Sequence, residues 1–194
     1  MREAQQPAHC SDVNGDRKLG DIWEANFCQL LSPGTLVARH QNDRHGSAVY
    51  GEVQPDGRIV WRPSPDVTAW HGRGITTHHE IKHKNAHRGV MFGLEEYRLE
   101  SLLEFHAKSG QSVYYTIHDH DCSGGRFGVT NDIKHWLTQT IESLSKDCDD
   151  KFRCPTWRNG KRVQEMTAFW HRSRFDYLED VLDNIERASQ RTDF

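Results

Sequence analysis

The chain has 194 residues, of which 35% are hydrophobic and 27% are charged, and its formal net charge is −3. This length suits a single domain with its own core, and six Trp, eight Phe and five Tyr supply apolar material for it. The composition excludes a disordered chain. The negative net charge excludes attraction to nucleic acid by the charge of the whole surface, so any such binding requires a local basic patch.

The N-terminal stretch and the cysteines bear on location. No apolar run reaches the length of a membrane-spanning helix, and the polar start MREAQQPAHCSD lacks the pattern of a signal peptide. Five cysteines are an odd number, and we expect their thiols to be free in a reducing, cytoplasmic setting. We predict a flexible arm over residues 1–18 and a single domain over residues 19–194.

Hydrophobic periodicity and turn residues predict the elements in chain order. Helices are predicted at 20–31, 94–110, 131–146 and 176–189. Strands are predicted at 48–53, 58–63, 66–71, 75–84, 112–118 and 164–171. Polar loops are predicted at 39–47 and 119–130, and a cysteine-bearing turn at 147–155. This order indicates one mixed α/β domain.

The stretch HHEIKHK places a carboxylate two residues before a lysine. Residues i and i+2 of a strand point to the same face, so Glu80 and Lys82 should lie side by side. Asp66 begins the preceding strand, and a glycine-containing turn folds the chain back. A register that pairs 66–70 with about 75–80 would bring Asp66 close to Glu80.

Two neighbouring carboxylates repel each other unless a positive charge lies between them. A hard divalent cation such as Mg²⁺ binds carboxylate oxygens and keeps water ligands. A lysine beside it can orient or deprotonate a water, or neutralise a developing negative charge. This combination of groups is typical of phosphodiester hydrolysis.

The order Pro65-Asp66, a spacer and then Glu80-Ile81-Lys82 resembles the PD-(D/E)XK nuclease superfamily, the restriction-endonuclease-like phosphodiesterases. An acidic residue on an upstream helix in GDIWEANF, an amphipathic helix after the E-x-K strand, and the strand VYYTIHD match the pattern as well. The resemblance covers about residues 20–120. It implies an α/β fold in which helices flank a mixed central β-sheet.

The resemblance also implies roles for individual residues. Asp66 and Glu80 would be ligands of Mg²⁺ or Mn²⁺, and the carbonyl oxygen of Ile81 would join them. Glu24 would be an auxiliary catalytic residue and metal ligand. Lys82 would assist the attacking water and the charge of the transition state.

A basic segment surrounds the predicted site. Residues 71–88 contain two Arg, two Lys and five His against one acid, Glu80, and cationic side chains of this kind neutralise backbone phosphates. Contacts to nucleic acid are therefore predicted for Arg73, His79, Lys84, Arg88 and Arg98. The resemblance also implies that the helix after the E-x-K strand can supply a further polar residue for the site, with three alternatives: Glu95, Tyr97 and Arg98.

The same residues have ordinary structural explanations. A surface ion pair would account for Glu80 and Lys82, a turn after Pro65 for Asp66, and an exposed helix face for Glu24. The histidines and the pair Cys148 and Cys154 raise the alternative of a zinc site, although their spacing departs from common zinc motifs.

The predicted function is that of a Mg²⁺-dependent deoxyribonuclease that cuts DNA endonucleolytically, of the kind found in phages and mobile elements. One alternative is a catalytically silent nucleic-acid-binding protein on the same fold. Another is a zinc-stabilised interaction module. No membrane partner is expected, and a homodimer stays open, as do the choice between DNA and RNA and any sequence specificity.

Overall fold

A six-stranded mixed β-sheet forms the centre of this computed structural model, which describes residues 13–39, 49–120, 131–158 and 161–190. With strands numbered in chain order, its spatial order is β1 (Leu36–Arg39), β4 (Val67–Trp70), β5 (Thr76–Lys84), β7 (Ser112–Asp119), β8 (Trp136–Thr140) and β11 (Asp176–Tyr177). The central pair, β5 and β7, is parallel, and the other neighbouring pairs are antiparallel.

Two smaller sheets and four helices surround this sheet. A hairpin joins β2 (Val49–Val53) and β3 (Ile59–Pro63), and a three-stranded sheet has the order β6 (Met91–Glu95), β10 (Lys161–His171) and β9 (Asp150–Arg158). The helices are α1 (Val13–Cys28), α2 (Glu96–Ser109), α3 (Ile141–Ser145) and α4 (Leu178–Gln190). No helix among the described residues is long and apolar enough to cross a membrane.

Both faces of the central sheet are covered. Side chains of α2 and of the three-stranded sheet, such as Leu102 and Trp170, pack with Tyr115 of β7 on one face. Phe27 of α1 and Leu182 of α4 pack with Ile81 of β5 on the other face. The predicted fold class, a mixed central sheet flanked by helices, is confirmed.

The predicted helix at 131–146 is wrong. That segment forms a 3₁₀ turn at Ile133–His135, strand β8 and the short helix α3. The sequence of β8, WLTQT, contains one aromatic and two β-branched residues, and the strand pairs with β7 and β11 on its two sides. Tertiary pairing of this kind overrides a helical pattern.

Other boundaries also differ from the prediction. Helix α1 begins at Val13 and so includes the last residues of the predicted arm, while residues 1–12 lie outside the described part. Strand β6 takes the start of the predicted helix at 94–110, and β9 occupies most of the predicted turn at 147–155. Most of the predicted loops at 39–47 and 119–130 lies outside the described residues.

Two histidines of β5 form part of the core on the α1 face. His79 is fully buried, and its ring nitrogens contact the hydroxyls of Thr77 and Thr116 at 3.0 Å. Burial lowers the pKa of His79 to about 3. His83 stacks on Trp23 with ring centroids 4.3 Å apart, and burial lowers its pKa to about 4. Both imidazoles are therefore neutral at pH 7.

These lowered pKa values predict that the fold loses stability in mild acid. Below pH 6.5 the unfolded chain binds protons that the buried rings exclude, so stability falls as the pH decreases from 6.5 towards 3. His79 alone contributes a slope of about 1.4 kcal/mol per pH unit in this window. Urea unfolding at pH 7, 6 and 5 measures the effect. The slope should be shallower in His79→Gln, and equal slopes for the two proteins would contradict the assignment.

Candidate functional site

The pairing of β4 with β5 brings three of the predicted site residues together. Val67 pairs with His79 and Trp70 with Thr76, so Asp66 lies beside Glu80 at the open end of the hairpin. The backbone N–H of Ile81 donates to Oδ2 of Asp66 at 2.8 Å. The Nζ atom of Lys82 lies 2.6 Å from Oε1 of Glu80 and 3.5 Å from Oδ2 of Asp66.

The alternation of side chains along β5 determines which face the cluster occupies. Ile81 belongs to the core on the α1 face, so Glu80 and Lys82 point to the opposite face, which α2 covers. The Glu80 side chain is 1% exposed, whereas that of Lys82 is 34% exposed. The site therefore consists of a buried carboxylate with a partly exposed lysine beside it. This arrangement differs from an ion pair on the protein surface.

An arginine of α2 holds the Glu80 carboxylate in place. Arg98 donates from Nε to Oε1 at 2.9 Å and from Nη2 to Oε2, and Nη2 also donates to the carbonyl of Ser64 at 2.7 Å. Burial alone would raise the pKa of Glu80, but the charges of Arg98 and Lys82 outweigh it and lower the pKa to about 2. Glu80 is therefore ionised at neutral pH, and its orientation is fixed.

The negative charges of two other carboxyl groups, those of Asp66 and Glu24, are less fully balanced by neighbouring cations. Burial and the charge of Glu80 raise the pKa of Asp66. Burial and the charge of Asp66 raise the pKa of Glu24, although Arg39 donates to its Oε2 atom from Nη2 at 2.8 Å and from Nε at 3.1 Å. A raised pKa shows that added positive charge would stabilise these two carboxylates.

The charge state of Lys82 limits what its side chain can do. Burial would lower its pKa, but Asp66 and Glu80 outweigh that effect and raise the pKa above its ordinary value. The amine is therefore a protonated ammonium at neutral pH. Of the roles predicted for Lys82, orienting a water and neutralising negative charge suit this state, and deprotonating a water does not.

The oxygen atoms of the cluster fit a hard divalent cation. Oδ1 of Asp66 accepts no hydrogen bond from the described residues, and a carboxylate such as Glu80 has further acceptor capacity beyond its existing contacts. Mg²⁺ in proteins is commonly held by one or two carboxylates with several waters. Among the described residues, no group of three or more His, Cys, Asp or Glu side chains is placed to hold a metal ion, so a cation at this cluster would rely on Asp66 and Glu80 together with water ligands.

The residues predicted to contact nucleic acid do not form one surface. Arg98 and His79 are buried, and their side chains contact Glu80 and two threonines, respectively. Arg73 lies exposed in the 3₁₀ turn at Gly72–Gly74, at the far end of the hairpin from Asp66. Lys84 is half-buried and donates to the carbonyl of Gly93 at 2.7 Å. Arg88 is exposed, 3.8 Å from Asp150.

Sequence reasoning missed one cationic partner, Arg39 of β1, which pairs with Glu24. Arg98 was one of the three alternatives for a further polar residue of the site, and the structure places it on Glu80 as a bidentate partner. Arg98 lies 18 residues from Glu80 and Arg39 lies 15 from Glu24. No short-range spacing in the sequence signals contacts of this separation, because they depend on how α2 and β1 pack.

Comparisons with known proteins give a structural similarity but no sequence match. No protein family model matches the chain, and no curated protein matches it. Among solved structures, the chain is similar to Hjc, a Holliday junction resolvase from the archaeal hyperthermophile Archaeoglobus fulgidus, with 13% sequence identity and a TM-score of 0.44. The alignment covers 88% of this chain and 96% of that chain. The similarity assigns no activity to this chain.

The ion pair between Arg98 and Glu80 predicts a large effect on stability. Arg98→Met keeps much of the side-chain volume but leaves the buried Glu80 without its bidentate partner, and we expect a loss of about 3–5 kcal/mol in the free energy of unfolding. Denaturant unfolding measures it. Arg62→Met, which removes an exposed partner of Glu52, is the control and should show no comparable loss. The double variant Arg98→Met/Glu80→Gln should recover part of the stability, and strict additivity would contradict the coupling.

Proposed function

We propose that this chain is a divalent-metal-dependent nuclease that hydrolyses phosphodiester bonds of DNA. The observation that carries the proposal is the convergence of two buried carboxylates and one partly open lysine, with Nζ of Lys82 2.6 Å from Glu80 and 3.5 Å from Asp66. An isolated structural ion pair does not require the second carboxylate. The motif resemblance of the same three residues to the PD-(D/E)XK nucleases supports the same reaction class.

Asp66, Glu80 and the carbonyl oxygen of Ile81 are the groups that would hold Mg²⁺ or Mn²⁺, and Glu24 would support them. When bound, the cation supplies Lewis-acid stabilisation of the phosphate oxygens and a more acidic water. Glu24 lies close enough to Asp66 for the two charges to affect each other. Its position on α1 suits an auxiliary ligand that acts through a water.

The protein groups around the reacting phosphate have separate tasks. The Lys82 ammonium can donate hydrogen bonds to a phosphate oxygen or to the attacking water, and it neutralises negative charge that develops on the phosphate. Arg98 fixes the orientation of Glu80, and the N–H of Ile81 fixes that of Asp66. Such preorganisation reduces the reorganisation that the reaction requires.

A catalytically silent nucleic-acid-binding protein is the second candidate. The observation that favours it is the bidentate contact of Arg98 with Glu80, because two cations already neutralise this carboxylate without a metal. In such a protein, Asp66 and Glu80 would stabilise the fold through their ion pairs and would not bind a metal. Such a protein would bind DNA equally well with and without a divalent metal, and it would not cut it.

Cleavage of supercoiled plasmid and branched DNA in Mg²⁺, Mn²⁺ and EDTA tests the proposal. We expect cleavage that requires the metal and falls about 10²- to 10³-fold in Lys82→Ala, because one positioned electrostatic donor contributes an effect of this size. Asp66→Asn should lose cleavage too, since it removes the charge of a metal ligand. Lys146→Ala, an exposed lysine of a distant helix end, is the control. Cleavage that survives both site substitutions would exclude this site as the catalytic centre.

Metal binding gives a second readout that does not depend on turnover. A cation that binds only the folded state raises the unfolding temperature as its concentration increases. We expect Mn²⁺ to stabilise the wild-type chain and to lose this effect in Asp66→Asn. A chain that is not stabilised by Mg²⁺ or Mn²⁺, yet binds DNA, would support the catalytically silent alternative.

A further inference from the structure

A cavity of about 310 Å³ lies where β7 ends and β8 begins, outside the carboxylate cluster. Four of its lining side chains are basic or can become so, and two are aromatic: Lys134, His135, His171, Arg172, Phe175 and Tyr177. Asp119 is the one acidic residue among the described lining residues, and its carboxylate forms an ion pair with Arg172. Because Asp119 balances Arg172, Lys134 gives the described lining of the cavity one net positive charge.

Several contacts fix the cationic wall of this cavity. The guanidinium of Arg172 is held by the fully buried Asp119 and lies 5.7 Å from the ring centroid of Phe92. A guanidinium that is already oriented binds an anion with little further loss of side-chain entropy. The buried Nδ1 atom of His135 has no hydrogen-bond partner among the described residues. Buried polar atoms in proteins normally have a hydrogen-bond partner, which this nitrogen lacks among the described residues.

The tautomer of His171 also suits an anion. The backbone N–H of Ser173 donates to Nδ1 of His171 at 3.2 Å, so Nδ1 is an acceptor in the neutral ring. The proton of the neutral imidazole then lies on Nε2, which is left as a donor. Tyr177 is 58% exposed and gives the cavity an open aromatic face. Basic donors beside an aromatic ring are the groups with which proteins bind a nucleotide phosphate and stack its base.

The cavity lies on the same face of the sheet as the carboxylate cluster. Asp119 pairs with Lys84 in the parallel register of β5 and β7. Lys84 lies four residues after Glu80 on β5, so the two side chains point to the same face of the sheet. At a rise of about 3.3 Å per residue, Glu80 and Lys84 are about 13 Å apart along β5. This separation corresponds to about four nucleotides of one strand of a B-form duplex, at about 3.4 Å each along the helix axis.

We propose that this cavity is a second binding site for the DNA strand, which takes a nucleotide phosphate on Arg172, His171 and Lys134 and a base on Tyr177. The identity of the ligand as DNA rests on the proposed nuclease function. The group that the cavity binds is a phosphate of a single DNA strand. This phosphate is either an internal phosphodiester or a terminal 5′-phosphate, and the experiment distinguishes the two.

The test is the binding of a short fluorescent single-stranded DNA to the full chain in EDTA, where metal-dependent cleavage cannot occur. Lys134→Glu and His171→Ala change exposed residues, and circular dichroism verifies that both variants are folded. We expect each to weaken binding at least about fivefold, and Lys134→Glu to reduce the slope of log K against log salt by about 0.7, the value for one lost phosphate contact with a single strand. Lys161→Glu is the matched control, at the opposite end of β10 from His171.

Oligonucleotides with a 5′-phosphate or a 5′-hydroxyl identify the source. A preference for the 5′-phosphate that disappears in Lys134→Glu assigns the cavity to a terminal phosphate, and an equal loss for both oligonucleotides assigns it to an internal one. Equal effects of Lys134→Glu and Lys161→Glu would overturn the proposal, as would a wild-type chain that does not bind the DNA. A wild-type chain that binds DNA through Lys134 but does not cut it in Mg²⁺ or Mn²⁺ would leave this site standing while the nuclease function falls.

Discussion

The contact between Glu80 and Arg98 is the interaction on which the candidate site depends. A carboxylate that is 1% exposed would ordinarily become protonated, since burial disfavours its charged form. Arg98 and Lys82 reverse this tendency, and the pKa of Glu80 falls to about 2. Because Arg98 also donates to the carbonyl of Ser64, the same guanidinium ties α2 to the residues that lead into Asp66. Arg98 thus fixes the carboxylate of Glu80, and the backbone N–H of Ile81 fixes that of Asp66.

The register of β4 against β5 is the second constraint. Val67 pairs with His79, which brings Asp66 to Glu80 and Lys82. A slip of one residue along β5 would exchange the faces of its side chains. It would move Glu80 into the apolar surroundings of Phe27 and turn His79 away from Thr116, towards the face where Arg98 lies. The buried histidines on one face and the ion pairs on the other therefore specify the same register, so the core of the domain and the geometry of the site are coupled.

The parts of the structure that the sequence predicted are those with local causes. The shared face of Glu80 and Lys82 follows from strand alternation, and the approach of Asp66 follows from one hairpin. The segment at 131–146 was assigned wrongly because its strand forms only through pairing with β7 and β11. Arg98 was predicted to contact nucleic acid and was also one of three alternatives for a further polar residue of the site. Its buried place on Glu80 depends on the packing of α2, which no local pattern encodes.

The charge balance of the cluster connects its stability with its proposed chemistry. Four carboxylates, those of Asp21, Glu24, Asp66 and Glu80, contact three cations, Arg39, Lys82 and Arg98. Asp21 is exposed, so the three buried carboxylates face three cations, and burial together with mutual repulsion raises the pKa of Asp66 and of Glu24. Glu80 is held rigid and ionised, whereas Asp66 retains an oxygen without a hydrogen-bond partner among the described residues, at the point where a cation would relieve the repulsion.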